Sequence, residues 1–258
     1  DHINNTPRQI NLLKALNANI PAYAHLSMIL GDDGQKLSKR HGAVSVMQYF
    51  DQGYLPEAIL NYLARLGWSH GDDEIFSMTD FCQWFDLDHI TSSSAQFNTE
   101  KLDWLNSHYI KTLPLERIAS AIETYLKEVV HSPIDPSLLI KAIDIHRERA
   151  NHLTSLARDI AYIFEYQKPN QQDFEKHIND EALKLIKSFQ AALIKIDWTK
   201  EAIHNVMNDV VTLHAIKFPK LAMPLRVLLT GIAQSPSIDV VMEILGHDET
   251  MKRLNLYL

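Results

Sequence analysis

Residues 31–42 have the sequence GDDGQKLSKRHG, which holds three glycines, two lysines and one arginine. The stretch follows an apolar run at residues 26–30 and precedes a segment with helical periodicity. A glycine-bounded basic loop after a buried strand is where α/β folds hold phosphates. Lys36 and Lys39 could then reach one polyphosphate as two point charges. Spacing alone favours a simpler interpretation, a solvent-exposed basic turn.

The bulk composition is that of an ordinary globular protein, with 258 residues, 46% of them apolar and 22% charged. The sequence contains no run of 18 apolar residues, so it predicts no membrane-spanning helix. The net charge of −7 argues against a uniformly basic nucleic-acid binder. The acid is concentrated in the middle, because residues 1–50 carry +2, residues 51–110 carry −8 and residues 111–258 carry −1. Both ends can therefore offer local basic patches to a polyanion.

Cysteine content limits the kinds of site available. Cys82 is the only cysteine, which excludes an internal disulfide and a multi-cysteine zinc site, so we expect no metal site in these residues. The sequence also begins without a signal-peptide pattern, and both features favour a reducing cytoplasm. Since Asp1 opens abruptly in polar sequence without an initiator methionine, we expect the chain to be part of a longer protein.

Secondary structure before residue 45 is expected to be mixed. Thr6 reads as an N-cap followed by Pro7 at the first helical position, and residues 23–30 read as a short buried strand. Helical periods then dominate, and prolines separate them in the C-terminal half. The predicted helices are 45–52, 56–66, 79–85, 99–110, 115–130, 136–149, 152–166, 180–196, 199–215, 224–229, 238–245 and 248–256. We expect Trp68, Trp84, Trp104 and Trp198 in the core, and an all-α architecture beyond residue 111.

Two basic clusters stand out in the helical half. The sequence HRER at 146–149 fits either a solvated face on which arginines pair with acids or a guanidinium fork for an unstacked base. Arg226 lies in an apolar helix, so its charge needs a partner. That partner could be an acid such as Asp239 or a ligand. The small-residue loop at 231–237 could approach a base closely.

Five separated segments, in this order, resemble bacterial-type glutamyl-tRNA synthetases, a class I aminoacyl-tRNA synthetase family. The segments are DHINNTPRQ (1–9), KLSKR (36–40), GYLPEAILNYL with LGWS (53–63, 66–69), FNTEKL with WLN (97–102, 104–106), and MPLRVLLTG with QSP (223–231, 234–236). KLSKR looks like the family's version of the class I "KMSKS" loop. The resemblance implies a mainly α chain. Residues 1–50 would be the remnant of an α/β nucleotide-binding catalytic domain, 51–110 a stem-contact helical region, and 111–258 an all-helical anticodon-binding domain.

The resemblance also implies a reaction and its residues. ATP would activate glutamate, and the glutamyl group would pass to the 3′ end of its tRNA. Lys39 would bind ATP and stabilise the pyrophosphate leaving group, with Lys36 and Ser38 in support. Arg149 would read the third anticodon base. The residues expected to contact the anticodon loop are Arg226, Ser235, Pro236 and Ile238.

The same resemblance leads us to expect Mg²⁺ with the ATP, a monomer, and the partners tRNA for glutamate, ATP and glutamate, without a membrane. The family's other signature, a "HIGH"-like motif, is missing from these residues, so residues 1–258 alone are expected not to aminoacylate. A non-catalytic anticodon-binding module is the alternative, although the intact loop argues against it. A helical interaction scaffold would explain the periodicities but not the loop. Glutaminyl-tRNA synthetase has a β-barrel anticodon region, which the sequence does not predict.

Overall fold

The computed structural model describes residues 2–31, 33–38 and 45–258. The chain divides into two compact units, Asp1–Tyr109 and Ile110–Leu258. Across the described ranges, thirteen α-helices and two short strands make the protein mainly α, as the sequence predicts. None of the helices in these ranges has the length and apolar character needed to cross a bilayer. The finer division of the first unit at residue 50 stays a prediction.

Secondary structure in the first unit begins with a helix and a very short strand. In chain order the elements are α1 (Thr6–Ala15), β1 (Ile29–Leu30), α2 (Val46–Asp51), α3 (Pro56–Arg65), α4 (Met78–Trp84), β2 (Ala95–Gln96) and α5 (Thr99–Thr112).

The second unit is built from helices throughout its length. They are α6 (Leu115–Leu126), α7 (Pro136–His146), α8 (Leu153–Phe164), α9 (Gln171–His177), α10 (Asp180–Ala192), α11 (Lys200–Leu213), α12 (Pro219–Thr230) and α13 (Ile238–Leu254). Short 3₁₀ turns follow α7 at Arg147–Arg149 and α10 at Leu193–Lys195.

Two expectations for the start of the chain are wrong. The predicted strand at 23–30 forms only at Ile29–Leu30, because its parallel partner β2 is two residues long and provides no further ladder. Thr6 is the first helical residue rather than the N-cap, which is Asn5. The Thr6 hydroxyl instead forms a 3.0 Å hydrogen bond with the Nε2 atom of His25.

Buried amide groups hold α3 and α5 of the first unit together. The Leu55 backbone N–H donates to Asn106 Oδ1 at 2.8 Å, and the Tyr109 hydroxyl donates to Asn61 Oδ1 at 2.8 Å. Both amides are fully desolvated, so these bonds satisfy groups that would otherwise be costly to bury. Trp104, expected in the core, is 50% exposed because other residues form the buried side of α5. Those residues are Leu102, Leu105, Asn106 and Tyr109.

Side-chain caps define several helix starts in the second unit. Asp135, Asn179 and Thr199 each accept from the backbone N–H three residues later, at 2.7, 2.9 and 3.3 Å. Helices α6, α7 and α8 pack together, and α10, α11, α12 and α13 form a second group of packed helices. The predicted break between two terminal helices is confirmed at Gly246, where φ is 77° and ψ is 166°.

Helix α12 differs from its prediction, which began at Pro224. The helix begins five residues earlier at Pro219, a first-turn position that needs no backbone N–H. Pro224 lies inside it and removes the bond to the Lys220 carbonyl. Eight of its residues are buried, and this burial sustains the helix through the proline. The short helix α9 was also not predicted.

Candidate functional site

The basic loop begins as a tight turn after β1. The Gly31 N–H donates to the Gln35 carbonyl at 2.8 Å, and the Gly34 N–H donates back to the Gly31 carbonyl at 3.0 Å. Gly34 has φ of +75°, a left-handed value that glycine adopts without steric cost. The chain then returns beside β1, because Leu30 and Lys36 form an antiparallel bridge. Lys36 is thus held at the strand end with its side chain exposed.

A cleft of about 570 Å³ adjoins this turn. Gly31 and Leu37 line one part of it, and residues 96–100 line the rest. Its volume lies in the range of small-molecule sites. Ser38 is half-buried at the end of the described loop. Lys39, the residue with the main predicted role, lies outside the described residues.

In the second unit, two arginines that are distant in sequence meet on one short loop. Arg149 Nη1 donates to the Ser235 carbonyl at 2.9 Å. Arg226 Nε donates to the Ser235 hydroxyl at 2.9 Å, and its Nη2 reaches the Pro236 carbonyl at 3.4 Å. Ser235 therefore connects both guanidinium groups, one through its main chain and one through its side chain. We call Arg149, Arg226, Ser235 and Pro236 the arginine cluster.

The two charges of the arginine cluster make their hydrogen bonds to neutral acceptors. In the described part of the chain, every hydrogen-bond acceptor of Arg149 and Arg226 is neutral, including the Met223 sulfur at 3.2 Å from Arg226 Nη1. The nearby carboxylate of Asp159 interacts with Arg149 only electrostatically: burial raises the pKa of Asp159, and the Arg149 charge opposes that rise. Burial and, secondarily, the positive charge of Arg149 lower the pKa of Arg226. Two neighbouring cations whose hydrogen bonds go to neutral groups favour a ligand that is anionic or rich in hydrogen-bond acceptors.

Arg147 and Arg149 have different environments although they are two residues apart. Arg147 Nη2 lies 3.2 Å from Asp144 Oδ1 on the same stretch of chain, which is the solvated-face arrangement. Arg149 instead turns toward Ser235, 86 residues away in sequence. The 3₁₀ turn at Arg147–Arg149 produces this difference, because its tighter winding changes the direction of successive side chains.

A buried histidine lies close to Arg149. His146 is 5% exposed, and its Nδ1 atom forms a 2.8 Å hydrogen bond with the Ala142 carbonyl. Its Nε2 atom lies 3.3 Å from the Tyr162 hydroxyl. Burial lowers the pKa of His146 to about 4, and the charge of Arg149 adds to this effect. The imidazole is therefore neutral at pH 7 and bonds the end of α7 to α8.

Gly231 ends α12 and starts the loop that carries Ser235. Its φ of +79° is left-handed, and a Cβ atom there would lie 2.6 Å from the Gln167 carbonyl oxygen. Such a contact does not occur between real Cβ atoms and backbone oxygens, so the close approach requires glycine. The sequence suggested a role for this loop but gave no sign of Gln167, which is 64 positions away.

Arg253 anchors the same end of α12 from inside the unit. It is 1% exposed, and its Nη1 donates to the Leu229 carbonyl at 2.7 Å. Its Nε donates to Glu249 at 2.8 Å, and its guanidinium lies 5.2 Å from the centre of the Tyr166 ring. These contacts hold the C-terminal end of α12 against α13 just before the loop. No sequence signal marked Arg253, because an arginine in the last helical turn has the pattern of a solvated residue.

Ile238 and Asp239 lie beyond the arginine cluster. The Ile238 side chain is 1% exposed at the start of α13, so it is not available for surface contact. The suggested pairing of Arg226 with Asp239 is wrong. Asp239 accepts from the Ser237 hydroxyl and lies 2.9 Å from His204 Nδ1. Burial opposes its ionisation, but the hydrogen bonds from Ser237, Val240 and His204 outweigh that effect and lower the pKa of Asp239.

Comparison with known families assigns both parts of the chain. Residues 1–104 match the catalytic domain of class I (E and Q) tRNA synthetases. Residues 108–258 match the anticodon binding domain family. The arginine cluster lies entirely within the second match, and the basic loop lies within the first.

Curated relatives and solved structures agree with these matches. A glutamate–tRNA ligase from Methylobacillus flagellatus is 59% identical over 98% of this chain and 54% of its own length. One from Dechloromonas aromatica is 52% identical over 100% of this chain and 56% of its own length.

A solved glutamate–tRNA ligase from Elizabethkingia meningosepticum, in complex with its amino acid, has a TM-score of 0.82 at 28% identity. The match covers 99% of this chain and 55% of the solved chain. The chain thus spans about half the length of the relatives it matches. It belongs to the glutamate–tRNA ligase family of class I aminoacyl-tRNA synthetases, in which it corresponds to the C-terminal portion.

Proposed function

We propose that this chain is the tRNA-recognising portion of an enzyme that uses ATP to attach glutamate to its tRNA. The observation that carries the proposal is the arginine cluster. It joins two arginines through Ser235, and in the described part of the chain the hydrogen-bond acceptors of both guanidinium groups are neutral. It lies inside a region matched by an anticodon binding domain. The amino acid is inferred from the relatives, which are glutamate–tRNA ligases.

At the arginine cluster, Arg149 reads the third anticodon base and Arg226 contacts the anticodon loop. A guanidinium offers five N–H donors in a fixed plane, which suits the acceptor edges of unstacked bases. Ser235 and Pro236 hold both guanidinium groups in place and contact the loop themselves. Because the Ile238 side chain is buried, its contact with RNA is through its main chain.

At the basic loop, Lys39 binds ATP and stabilises the pyrophosphate leaving group as negative charge develops. A cation positioned before the reaction stabilises that charge without reorganisation. Lys36, held beside β1, and Ser38 support it, and the adjoining cleft is large enough for a small molecule. The glycines of the loop allow it to close during adenylate formation and to relax afterwards.

Mg²⁺ is expected to accompany ATP in this family. Within the described ranges, no group of three or more His, Cys, Asp or Glu side chains could hold a metal ion. The ion would be coordinated mainly by the phosphates, as Mg²⁺ commonly is with nucleotides, and would neutralise part of their charge. The reaction would take place in the cytoplasm, where tRNA is charged.

Exchange of pyrophosphate into ATP tests the catalytic half of the proposal. In the full-length ligase that contains these residues, Lys39→Ala should lower glutamate-dependent exchange by about 100-fold or more, since one positioned charge stabiliser contributes on this scale. Lys14→Ala, an exposed lysine on α1, is the matched control and should retain exchange. Unchanged exchange in Lys39→Ala would refute the assigned role.

The separate activity of residues 1–258 is a second arm of the same experiment. We expect no exchange from these residues alone, because they lack the HIGH-like motif. Measurable exchange would contradict this expectation. A full-length protein that binds glutamate tRNA but never supports exchange would instead favour the alternative of a non-catalytic anticodon-binding module.

A further inference from the structure

A second polar surface in the helical unit adjoins the arginine cluster. It is a groove of about 340 Å³ between the end of α9, the start of α10 and the first turns of α12. Its lining residues are Lys176, His177, Asn179, Glu181, Ala182, Leu185, Lys217, Pro219, Lys220, Met223 and Pro224. We call this surface the basic groove.

The basic groove is strongly charged for a unit whose net charge is close to zero. Lys176, Lys217 and Lys220 are all exposed, and within the described ranges none of them forms an ion pair. Glu181 is the one carboxylate among the lining residues. It lies in the first turn of α10, where the helix dipole stabilises an acidic side chain, so its presence has a separate structural reason.

Met223 makes the basic groove continuous with the arginine cluster. Its side chain lines the groove, and its sulfur accepts a hydrogen bond from Arg226 Nη1 at 3.2 Å. Lys220 and Arg226 belong to the same helix and are six residues apart, which is roughly 9 Å along the axis. A polymeric ligand held by Arg226 would therefore bring its next units over Met223 and into the groove.

We propose that the basic groove binds the phosphodiester backbone of the tRNA next to the bases held by the arginine cluster. The proposal rests on the proposed function, because it takes tRNA as the ligand of Arg149 and Arg226. Flexible lysines bind phosphates as point charges. The guanidinium groups of Arg149 and Arg226, held by Ser235, can in addition hydrogen-bond the acceptor edges of bases. The division between the two surfaces is therefore chemical: the cluster selects sequence, and the groove adds affinity that is independent of sequence.

The test is the salt dependence of binding to an anticodon stem-loop RNA of the glutamate tRNA. Lys217→Ala combined with Lys220→Ala in the 258-residue chain should weaken binding and reduce the slope of log K against log salt by roughly 1.4, about 0.7 for each phosphate contact on a single strand. Lys187→Ala with Lys195→Ala removes two exposed lysines of α10 and its 3₁₀ extension that do not line the groove. This control should keep the wild-type slope.

Sequence dependence separates the basic groove from the arginine cluster. The groove variant should lose the same factor in affinity for a stem-loop with the glutamate anticodon and for one with a substituted third base, since phosphate contacts carry no sequence information. Arg149→Gln should instead reduce the difference between the two RNAs. A groove variant with the slope of its control would overturn the proposal. Poly-glutamate that inhibits RNA binding as strongly as unlabelled stem-loop RNA does would also overturn the proposal, because it would indicate an acidic protein ligand.

The outcomes also distinguish this proposal from the proposed function. A wild-type chain that binds both stem-loops equally, with the slope still lowered in the groove variant, would count against anticodon recognition and leave phosphate binding by the groove intact. If the wild-type chain prefers the glutamate anticodon but the groove variant keeps the wild-type slope, anticodon recognition is supported and phosphate binding by the groove is refuted. Thermal melting by circular dichroism should give the same Tm for wild type and both lysine variants, since the substituted side chains are exposed.

Discussion

Gly231→Ala should destabilise the helical unit more than an ordinary glycine substitution. The residue has a φ of +79°, and the added Cβ would lie 2.6 Å from the Gln167 carbonyl oxygen. The first feature costs about 1–2 kcal/mol for an L-residue in the left-handed region. The second forces a main-chain segment to move, which costs about 1–3 kcal/mol by analogy with overpacked cores. Together they predict a loss of about 2–5 kcal/mol in the free energy of unfolding.

Urea denaturation followed by far-UV circular dichroism measures this loss for the helical unit. Gly71→Ala in the first unit is the control for the backbone component, because Gly71 has a φ of +51° but no atom within 4 Å of an added Cβ. Its loss is measured on the unfolding transition of that unit. This substitution should cost only the backbone component of about 1–2 kcal/mol. The two variants should therefore differ mainly by the contact with Gln167.

Gly231→Asn separates the two contributions at one position. Asparagine enters the left-handed region more readily than alanine, so it should recover roughly 1 kcal/mol while retaining the Cβ contact. An asparagine variant as stable as wild type would refute the reasoning, since the close approach to Gln167 could not then be what requires glycine. A loss of stability in Gly231→Ala no larger than the loss in Gly71→Ala, each relative to wild type in its own unit, would refute it equally.

Two further predictions concern residues at or near the arginine cluster. The pKa of His146 is about 4 when folded and near 6.5 when unfolded, so the unfolded state binds more protons between these values and stability falls by about 3 kcal/mol as pH drops through that window. Urea denaturation at pH 7 and pH 4 should show a smaller fall for His146→Leu, and an equal fall would contradict the assignment. The second prediction concerns Arg149 in the full-length enzyme. Arg149→Gln should raise charging of glutamine tRNA relative to glutamate tRNA by about 10-fold, which is the discrimination that one good base contact provides. Arg147→Gln, which removes the Asp144 pair instead, should leave that ratio unchanged.

Local sequence signals were sufficient for most of the helices. Ser45 was recognisable as the start of α2, and the structure gives it a capping box with Gln48. Gly53 follows that helix with a φ of +91°, as expected for a glycine after a helix end. The failures occur where distant contacts override local pattern. Pro224 lies inside α12 because burial of that helix outweighs one missing hydrogen bond.

Family membership was recognisable from short segments, including KLSKR at residues 36–40 and QSP at 234–236. Residue types alone also identified the basic loop and the residues of the arginine cluster. The sequence could not choose between Asp239 and a ligand as the partner of Arg226. It also left Arg147 and Arg149 equivalent, because both satisfy the same pattern in a charged helix end.

The sequence by itself determined the α-helical class, the family and the chemical character of the candidate residues, since these depend on local periodicity and residue identity. Tertiary structure alone decided that Ser235 receives both Arg149 and Arg226, that Gly231 lies against Gln167, and that Lys217 and Lys220 share a groove with Lys176. The physical reason is that hydrogen bonds and steric contacts act over a few ångströms in space, whereas these residues are separated by up to 86 positions in the chain.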